Sequence, residues 1–147
     1  MKANELMIGD WVKFTSKYGY GTGQVVGIEP REGSAEPTTF TIWKKDKEGN
    51  TKFFVGVSKN CVEPIHLAPD MLLTNGFELQ ELGGGRVDIW TGFGEDNCHD
   101  IEVEFDGDKP IHLKIDGPVY LVTPNIKYLH QLQHFLRDCE TGKEITL

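Results

Sequence analysis

The chain has 147 residues, 38% of them hydrophobic, and a formal net charge of −8 at pH 7. This composition allows an ordinary hydrophobic core and excludes a chain that is disordered by composition. No run approaches the roughly 18 consecutive apolar residues of a membrane-spanning helix, and the first ten residues lack the apolar segment of a secretory signal. We expect one domain or two small ones, with no membrane association.

The three cysteines, Cys61, Cys98 and Cys139, form no C-x-x-C pair. They indicate neither a disulfide framework nor a zinc ribbon, and reduced thiols in the cytoplasm are the simplest interpretation. The charge is uneven, since residues 1–66 carry 9 basic and 8 acidic side chains whereas residues 67–147 carry 6 and 15. Because the acidic half repels polyanions, any nucleic-acid binding would have to use the first half.

Residues 1–66 predict a domain of short strands joined by glycine-rich turns. The sequence D-K-E-G-N at 46–50 is a hairpin signal between the third strand and the fourth. Many short strands in one small segment favour a five-stranded barrel, because closure removes exposed sheet edges. The predicted strands are 10–15, 24–29, 38–44, 51–57 and 61–65.

The opening I-G-D-W-V-K-F followed by G-Y-G-T-G-Q-V-V-G-I, within 8–30, resembles the N-terminal pattern of KOW-type and related SH3-like barrels. That resemblance implies an RNA- or protein-binding module that recognises its partner through loops at the barrel rim. Aromatic rings near cations can stack bases and hold phosphates. Alternatively, the tyrosines pack the glycine-rich loop and the lysines form a solvated hairpin. The candidate binding residues are Tyr18, Tyr20, Lys44, Lys45, Lys47 and Lys52.

Residues 67–147 predict a small α+β half, in which strands are followed by a helix that covers one face of their sheet. A short helix is expected at 69–74. Strands are expected at 77–82, 86–90, 101–105, 111–115 and 119–122, and a last strand at 144–147.

The hairpin at 101–115 has a register that the alternation of its apolar residues determines. For both apolar sets to share a face, paired positions must sum to an even number. With a loop at 107–109, Glu104 then faces His112 and Glu102 faces Lys114. These four residues are therefore predicted to be cross-strand charge partners rather than an acid/base pair.

The segment from Thr123 to Gly142 predicts the long helix of the chain. Thr123 suits the N-cap, Pro124 the first turn and Gly142 the stop. At 100° per residue, His130 and His134 lie on the polar face, one turn apart. The apolar face that the same wheel predicts contains Tyr128, Leu129, Leu132, Phe135, Leu136 and Cys139.

The spacing of His130 and His134 is that of the H-E-x-x-H zinc helix, but position 131 is Gln, which lacks the proton-transfer chemistry of Glu. One hypothesis is a metal-dependent hydrolase with His99 or an acidic residue as third ligand. The other, which we favour, is a pair of solvated or partner-facing histidines.

The cluster G-E-D-N-C-H-D at 94–100 contains several metal-ligand residue types, but its spacing fits no EF-hand loop. Adjacent residues on an extended chain also point apart, which excludes a Cys-His dyad there. We predict an exposed loop.

Three segments resemble a family of small uncharacterised proteins of Bacteroidetes and their phages or mobile elements. They are K-A-N-E-L-M-I-G-D-W-V at 2–12, P-I-H-L-A-P-D-M-L-L-T-N-G-F at 64–77, and K-Y-L-H-Q-L-Q-H-F-L with T-G-K-E at 127–144. In the family pattern the position of His134 is often Asn, which argues against a shared two-histidine metal site. The resemblance implies a bacterial or phage protein.

The sequence therefore predicts a mainly β cytoplasmic protein, an SH3-like barrel over 1–66 followed by an α+β half over 67–147. Its expected role is that of a non-catalytic interaction module without a cofactor, and a protein is the favoured partner. Nucleic-acid binding by residues 1–66 and the His130/His134 hydrolase are the alternatives.

Overall fold

Strands make up most of the chain, and a single longer helix follows them near the C-terminus. The computed structural model describes residues 5–30, 37–93, 99–116, 121–124 and 126–147. The chain divides into two compact units, residues 1–65 and 66–147. Each unit contains one five-stranded antiparallel sheet.

The first unit is a meander whose last strand returns to pair with the first. Its sheet order is β4-β3-β2-β1-β5. A short 3-10 helix, Lys59–Cys61, precedes the last strand. The strands are β1 Trp11–Ser16, β2 Gly19–Pro30, β3 Pro37–Lys45, β4 Thr51–Ser58 and β5 Val62–Pro64.

This sheet is strongly curled around its core. Phe14 of β1 and Phe54 of β4 lie in strands separated by two others, which in a flat sheet is about 14 Å. Their ring centroids are nevertheless 4.7 Å apart. No ladder joins β4 to β5 among the described residues, so the sheet is open in its hydrogen bonding and a closed barrel is not confirmed. The enclosed core contains Leu6, Val12, Phe14, Val25, Phe40, Ile42, Phe54, Val57 and Val62.

The glycine-rich run at 19–23 belongs to β2, whereas the sequence predicted a loop that continued to residue 23. The reason is the close approach of β2 to β3. A Cβ at Gly23 would lie 2.6 Å from Ile42 Cγ2 and 2.6 Å from the Trp43 carbonyl oxygen. Glycine at this position therefore permits tight strand pairing rather than loop mobility.

The second unit has the strand order β10-β9-β8-β7-β6. One face of its strands is apolar, and side chains such as Ile89, Val103 and Leu113 are fully buried. The helices are α1 Pro69–Thr74 and α2 Leu129–Asp138. The strands are β6 Glu78–Gly83, β7 Arg86–Phe93, β8 His99–Asp106, β9 Lys109–Asp116 and β10 Leu121–Pro124.

Helix α2 begins at Leu129, with Tyr128 as its N-cap, so the predicted start at Thr123 is wrong. Thr123 and Pro124 instead belong to the edge strand β10, where they pair with β9. A residue before proline favours extended backbone, and proline is tolerated on an edge strand. These preferences suit a strand end as well as they suit a helix cap.

The end of the chain also differs from the prediction. Residues 144–147 form no strand, but they are anchored. The N–H of Thr146 donates to Asn75 Oδ1 at 2.8 Å, and Asn75 Nδ2 donates to the Thr146 carbonyl at 3.0 Å. Ile145 is buried beside this contact. No helix within the described ranges is long and apolar enough to cross a membrane.

Candidate functional site

A groove on the first unit lies between the β1–β2 turn and strand β4. Its volume is about 490 Å³. The residues that line it come from both elements and are mostly apolar or aromatic. They are Tyr18, Lys52, Phe53, Phe54 and Val55.

The β1–β2 turn presents Tyr18 to solvent. The Ser16 hydroxyl donates to the Gly19 carbonyl at 2.9 Å, and Ser16 Oγ accepts a hydrogen bond from the N–H of Tyr18 at 3.2 Å. Ser16 thus fixes the turn through local hydrogen bonds, as serine often does. The Lys17 ammonium lies 4.7 Å from the centroid of the Tyr18 ring, so this wall of the groove carries a cation and an aromatic face.

Strand β4 forms the other wall, and its side chains alternate between core and solvent. Phe54 points inward, whereas Phe53 and Val55 are 62% and 67% exposed. β4 is an outer strand of the sheet, and Gly56, with φ of 70°, lies at its bulge. Proteins usually protect such edges with charges, prolines or bulges. β4 has such a bulge, yet it also exposes two large apolar side chains, which makes this edge a candidate interaction surface.

The hairpin after β3 is built around Asp46. Its Oδ1 accepts the N–H groups of Asn50 at 2.9 Å and Glu48 at 3.0 Å, and its Oδ2 lies 3.1 Å from Lys52 Nζ. The hydrogen bond from the Asn50 backbone, helped by Lys52 and Glu48, lowers the pKa of Asp46 to about 2. An ionised Asp46 thus holds both the turn and the lysine beside the groove.

The structure brings together some of the binding residues that the sequence predicted. Tyr18 and Lys52 line the same groove. Lys44 of β3 lies directly opposite Lys52 of β4, and its ammonium donates to the Tyr20 carbonyl at 3.0 Å. Lys45 and Lys47 are exposed near the hairpin.

Tyr20 lies elsewhere, on a second groove of about 290 Å³. This groove crosses β5, β1 and β2 on the outer side of the sheet. Its lining residues are Lys13, Phe14, Thr15, Tyr20, Gly21, Thr22, Cys61 and Glu63.

Sequence reasoning missed Phe53 and Val55. The run F-F-V-G-V at 53–57 contains four apolar residues. A strand with one buried face places only alternate side chains in the core. The excess of apolar residues was thus a signal that some of them point outward.

The two histidines of α2 lie one turn apart with their rings in contact, but not both on a solvent-exposed face. His130 is only 2% exposed, so its predicted position is wrong, whereas His134 is half-buried. The His130 ring stacks on Tyr128 with a centroid distance of 5.7 Å and meets His134 edge-on at 5.7 Å. Gln131, at the position of the zinc-helix glutamate, accepts the N–H of Tyr128 at 3.1 Å and thereby caps the helix.

The described part of the chain contains no group of three His, Cys, Asp or Glu side chains placed to hold a metal ion. Of the polar cluster at 94–100, Asp96 and Cys98 lie outside the described residues. His99 begins β8, where its ring lies 5.3 Å from that of Phe93. Asp100 is exposed on the same strand.

The second sheet carries a charged face across β7, β8 and β9. The predicted cross-strand pairs are confirmed: His112 Nε2 lies 3.2 Å from Glu104, and Lys114 Nζ lies 2.9 Å from Glu102. The predicted three-residue loop is wrong, because a bulge after Glu104 shifts the register and leaves a two-residue turn, Gly107–Asp108.

Asp88 of β7 faces Glu104 and is 7% exposed. Within the described residues its Oδ1 has no hydrogen-bond partner. Burial, followed by the charges of Glu102 and Glu104, raises the pKa of Asp88. A buried carboxyl among other carboxylates is costly to ionise, so the ionised form of Asp88 is unfavourable on a face where Glu102 and Glu104 have cationic partners.

Comparisons of the chain with models of known protein families, with curated proteins and with solved structures find no match.

Proposed function

We propose that the chain is a non-catalytic interaction module of a bacterial or phage accessory system, and that its first unit binds a protein partner. The observation that carries this proposal is the exposure of Phe53 and Val55 beside Tyr18 on an outer strand. Aromatic and apolar side chains in a concave site are the usual anchors of protein interfaces.

We also propose that the first unit is an SH3-like barrel, closed by side-chain packing rather than by a complete hydrogen-bonded ladder. The contact between Phe14 and Phe54 supports this description, and so does the pairing of β5 with β1. In such a barrel the groove of Tyr18 and Phe53 lies where the sheet fails to close.

The test is a selection of random dodecapeptides displayed on phage against the purified protein. We expect selected peptides to lose at least about 10-fold in affinity for the double variant Phe53→Ser/Val55→Ser, because burying one such side chain contributes roughly 1.5–3 kcal/mol. Val122→Ser, on the outer strand β10 of the other sheet, is the matched control and should bind normally. Equal binding to the wild type and the double variant would refute the proposal.

Single-stranded nucleic acid is a second candidate, favoured by the proximity of Tyr18 to the lysines of the 44–52 hairpin. The geometry supports it less well, since Lys52 is paired with Asp46 and Lys44 donates to a backbone carbonyl. Fluorescence anisotropy with labelled single-stranded DNA, duplex DNA and RNA at two salt concentrations tests it. Salt-sensitive binding that the triple change of Lys44, Lys45 and Lys47 to Glu abolishes would favour this function.

A further inference from the structure

We propose that the outer edge of β4 pairs with an extended segment of the partner protein, and that the segment has the pattern apolar-x-apolar-acidic. This inference rests on the proposed function and specifies how its groove is used. It concerns the backbone of β4 as well as the side chains that line the groove.

The outer edge of β4 has no neighbouring strand among the described residues. β3 pairs with one side of β4, and the sheet order among the described residues places no strand on the other side. In an antiparallel pair, alternate residues turn their N–H and C=O groups away from the partner strand. Before the bulge at Gly56, the outer edge of β4 therefore offers a row of backbone donors and acceptors to an incoming chain.

The exposed apolar side chains of β4 have the spacing of alternate residues in a strand. Phe53 and Val55 are two residues apart and point to the same side of β4. An added strand places its alternate residues on that same side, directly opposite these two. Two apolar residues separated by one other residue would therefore pack against Phe53 and Val55 while Tyr18 forms the opposite wall.

The segment next to the groove carries a net positive charge. Residues 44–52 contain four lysines and two acids, and the Lys17 ammonium lies 4.7 Å from the centroid of the Tyr18 ring, which lines the groove. In an antiparallel addition the peptide residue after the second apolar position faces Lys52. Lys52 is paired with Asp46 at 3.1 Å, but its side chain is 57% exposed, so a peptide carboxylate at that position can share the lysine with Asp46. The short reach of the attraction at physiological salt makes the effect local. Antiparallel pairing is also slightly more stable per residue than parallel pairing.

The probe is the capped peptide acetyl-Ser-Val-Thr-Val-Glu-Ser-amide, titrated into isotope-labelled protein and followed by amide NMR shifts. We expect shifts centred on residues 51–55 and a Kd weakened at least 10-fold by Phe53→Ser/Val55→Ser. Val122→Ser should leave the Kd unchanged.

Two further measurements test the mode of binding. Methylating the alternate peptide amides that face β4 should abolish binding, whereas methylating the other alternate set should leave the Kd within about 2-fold. Replacing the peptide Glu by Gln should weaken binding to the wild type severalfold but leave binding to Lys52→Gln unchanged, since the charge partner is then absent.

Several results would overturn the inference. If groove-binding peptides tolerate methylation of either amide set equally, edge pairing is wrong while the proposed function survives. No shift with millimolar probe would reject the apolar-x-apolar-acidic pattern. A concentration-dependent dimer that Phe53→Ser/Val55→Ser dissociates would make a second copy the occupant. Tighter binding of a thymidine oligonucleotide at the same residues would assign the groove to nucleic acid.

Discussion

The rings of Phe14 and Phe54 meet at 4.7 Å across the interior of the first unit, although β2 and β3 lie between their strands in the sheet. This contact depends on the curl of the sheet, so its loss should destabilise the unit. We expect Phe54→Ala to destabilise the first unit by about 3–5 kcal/mol. Denaturant unfolding followed by the fluorescence of Trp11 and Trp43 measures the change.

Phe53→Ala is the matched control, because Phe53 is the preceding residue on the same strand and is exposed. Its effect on stability should stay within about 0.5 kcal/mol. Equal destabilisation by the two substitutions would contradict the inward and outward assignment of these rings.

A second prediction concerns Gly23. Its φ needs no glycine, but a Cβ there would meet Ile42 and the Trp43 carbonyl at 2.6 Å. Gly23→Ala should therefore force β2 and β3 apart and cost about 1–3 kcal/mol, as overpacking usually does. Thr22→Ala at the neighbouring position should cost clearly less. Thermal unfolding of both variants decides between this crowding and a loop that tolerates a methyl group.

A third prediction concerns Asp88. Because the pKa of Asp88 is raised in the folded protein, the folded state retains its proton at pH values where the unfolded chain has released it. The stabilisation that this proton provides is complete below the ordinary pKa of 3.8 and is lost as pH rises through the folded pKa. Asp88→Asn should therefore raise the free energy of unfolding at pH 7. It should also reduce the decrease of that free energy as pH rises.

Glu81→Gln on the exposed strand β6 is the control for this measurement, since it makes the same chemical change at an exposed position. Its pH profile should match that of the wild type. A wild-type profile for Asp88→Asn, measured by urea unfolding from pH 3 to pH 8, would show that Asp88 ionises in the fold without penalty.

A fourth prediction compares two cysteines. Cys61 is exposed, whereas Cys139 is half-buried at the end of α2, where burial and then the charge of Asp138 raise its pKa. Since the thiolate is the reactive species, iodoacetamide should modify Cys61 severalfold faster than Cys139 at pH 8. Peptide mapping by mass spectrometry separates the two sites. Faster modification of Cys139 would mean that the helix end opens in solution.

Local patterns predicted most of the strands because the alternation of apolar and polar residues can be followed along the sequence one residue at a time. The partners of Glu102 and Glu104 followed from the rule that paired positions sum to an even number. The bulge after Glu104 changed the register only near the turn. The start of α2 could not be predicted in this way. Thr123 and Pro124 satisfy the local preferences of a helix cap, and only their pairing with β9 shows that they end a strand.

The candidate groove was predictable only in part. Tyr18 and Lys52 were selected by residue type, and the fold places them together. The apolar run at 53–57 indicated that some of its side chains point outward, but the position of β4 as an outer strand is a property of the sheet order rather than of any short segment. The burial of His130 likewise depends on what surrounds α2, and the helical wheel of one segment does not contain that information.

The hydrogen bonds between Asn75 and Thr146 join residues 71 positions apart, and this spacing has a consequence for biosynthesis. All strands of the first sheet lie before residue 65, so that unit can form while the rest of the chain is still being translated. The hydrogen bonds between Asn75 and Thr146 in the second unit can form only after residue 146 has been synthesised. At roughly 5–20 residues per second, several seconds separate the synthesis of the first unit from that of residue 146. During this time the acidic second unit is incomplete, whereas all strands of the first sheet have been synthesised.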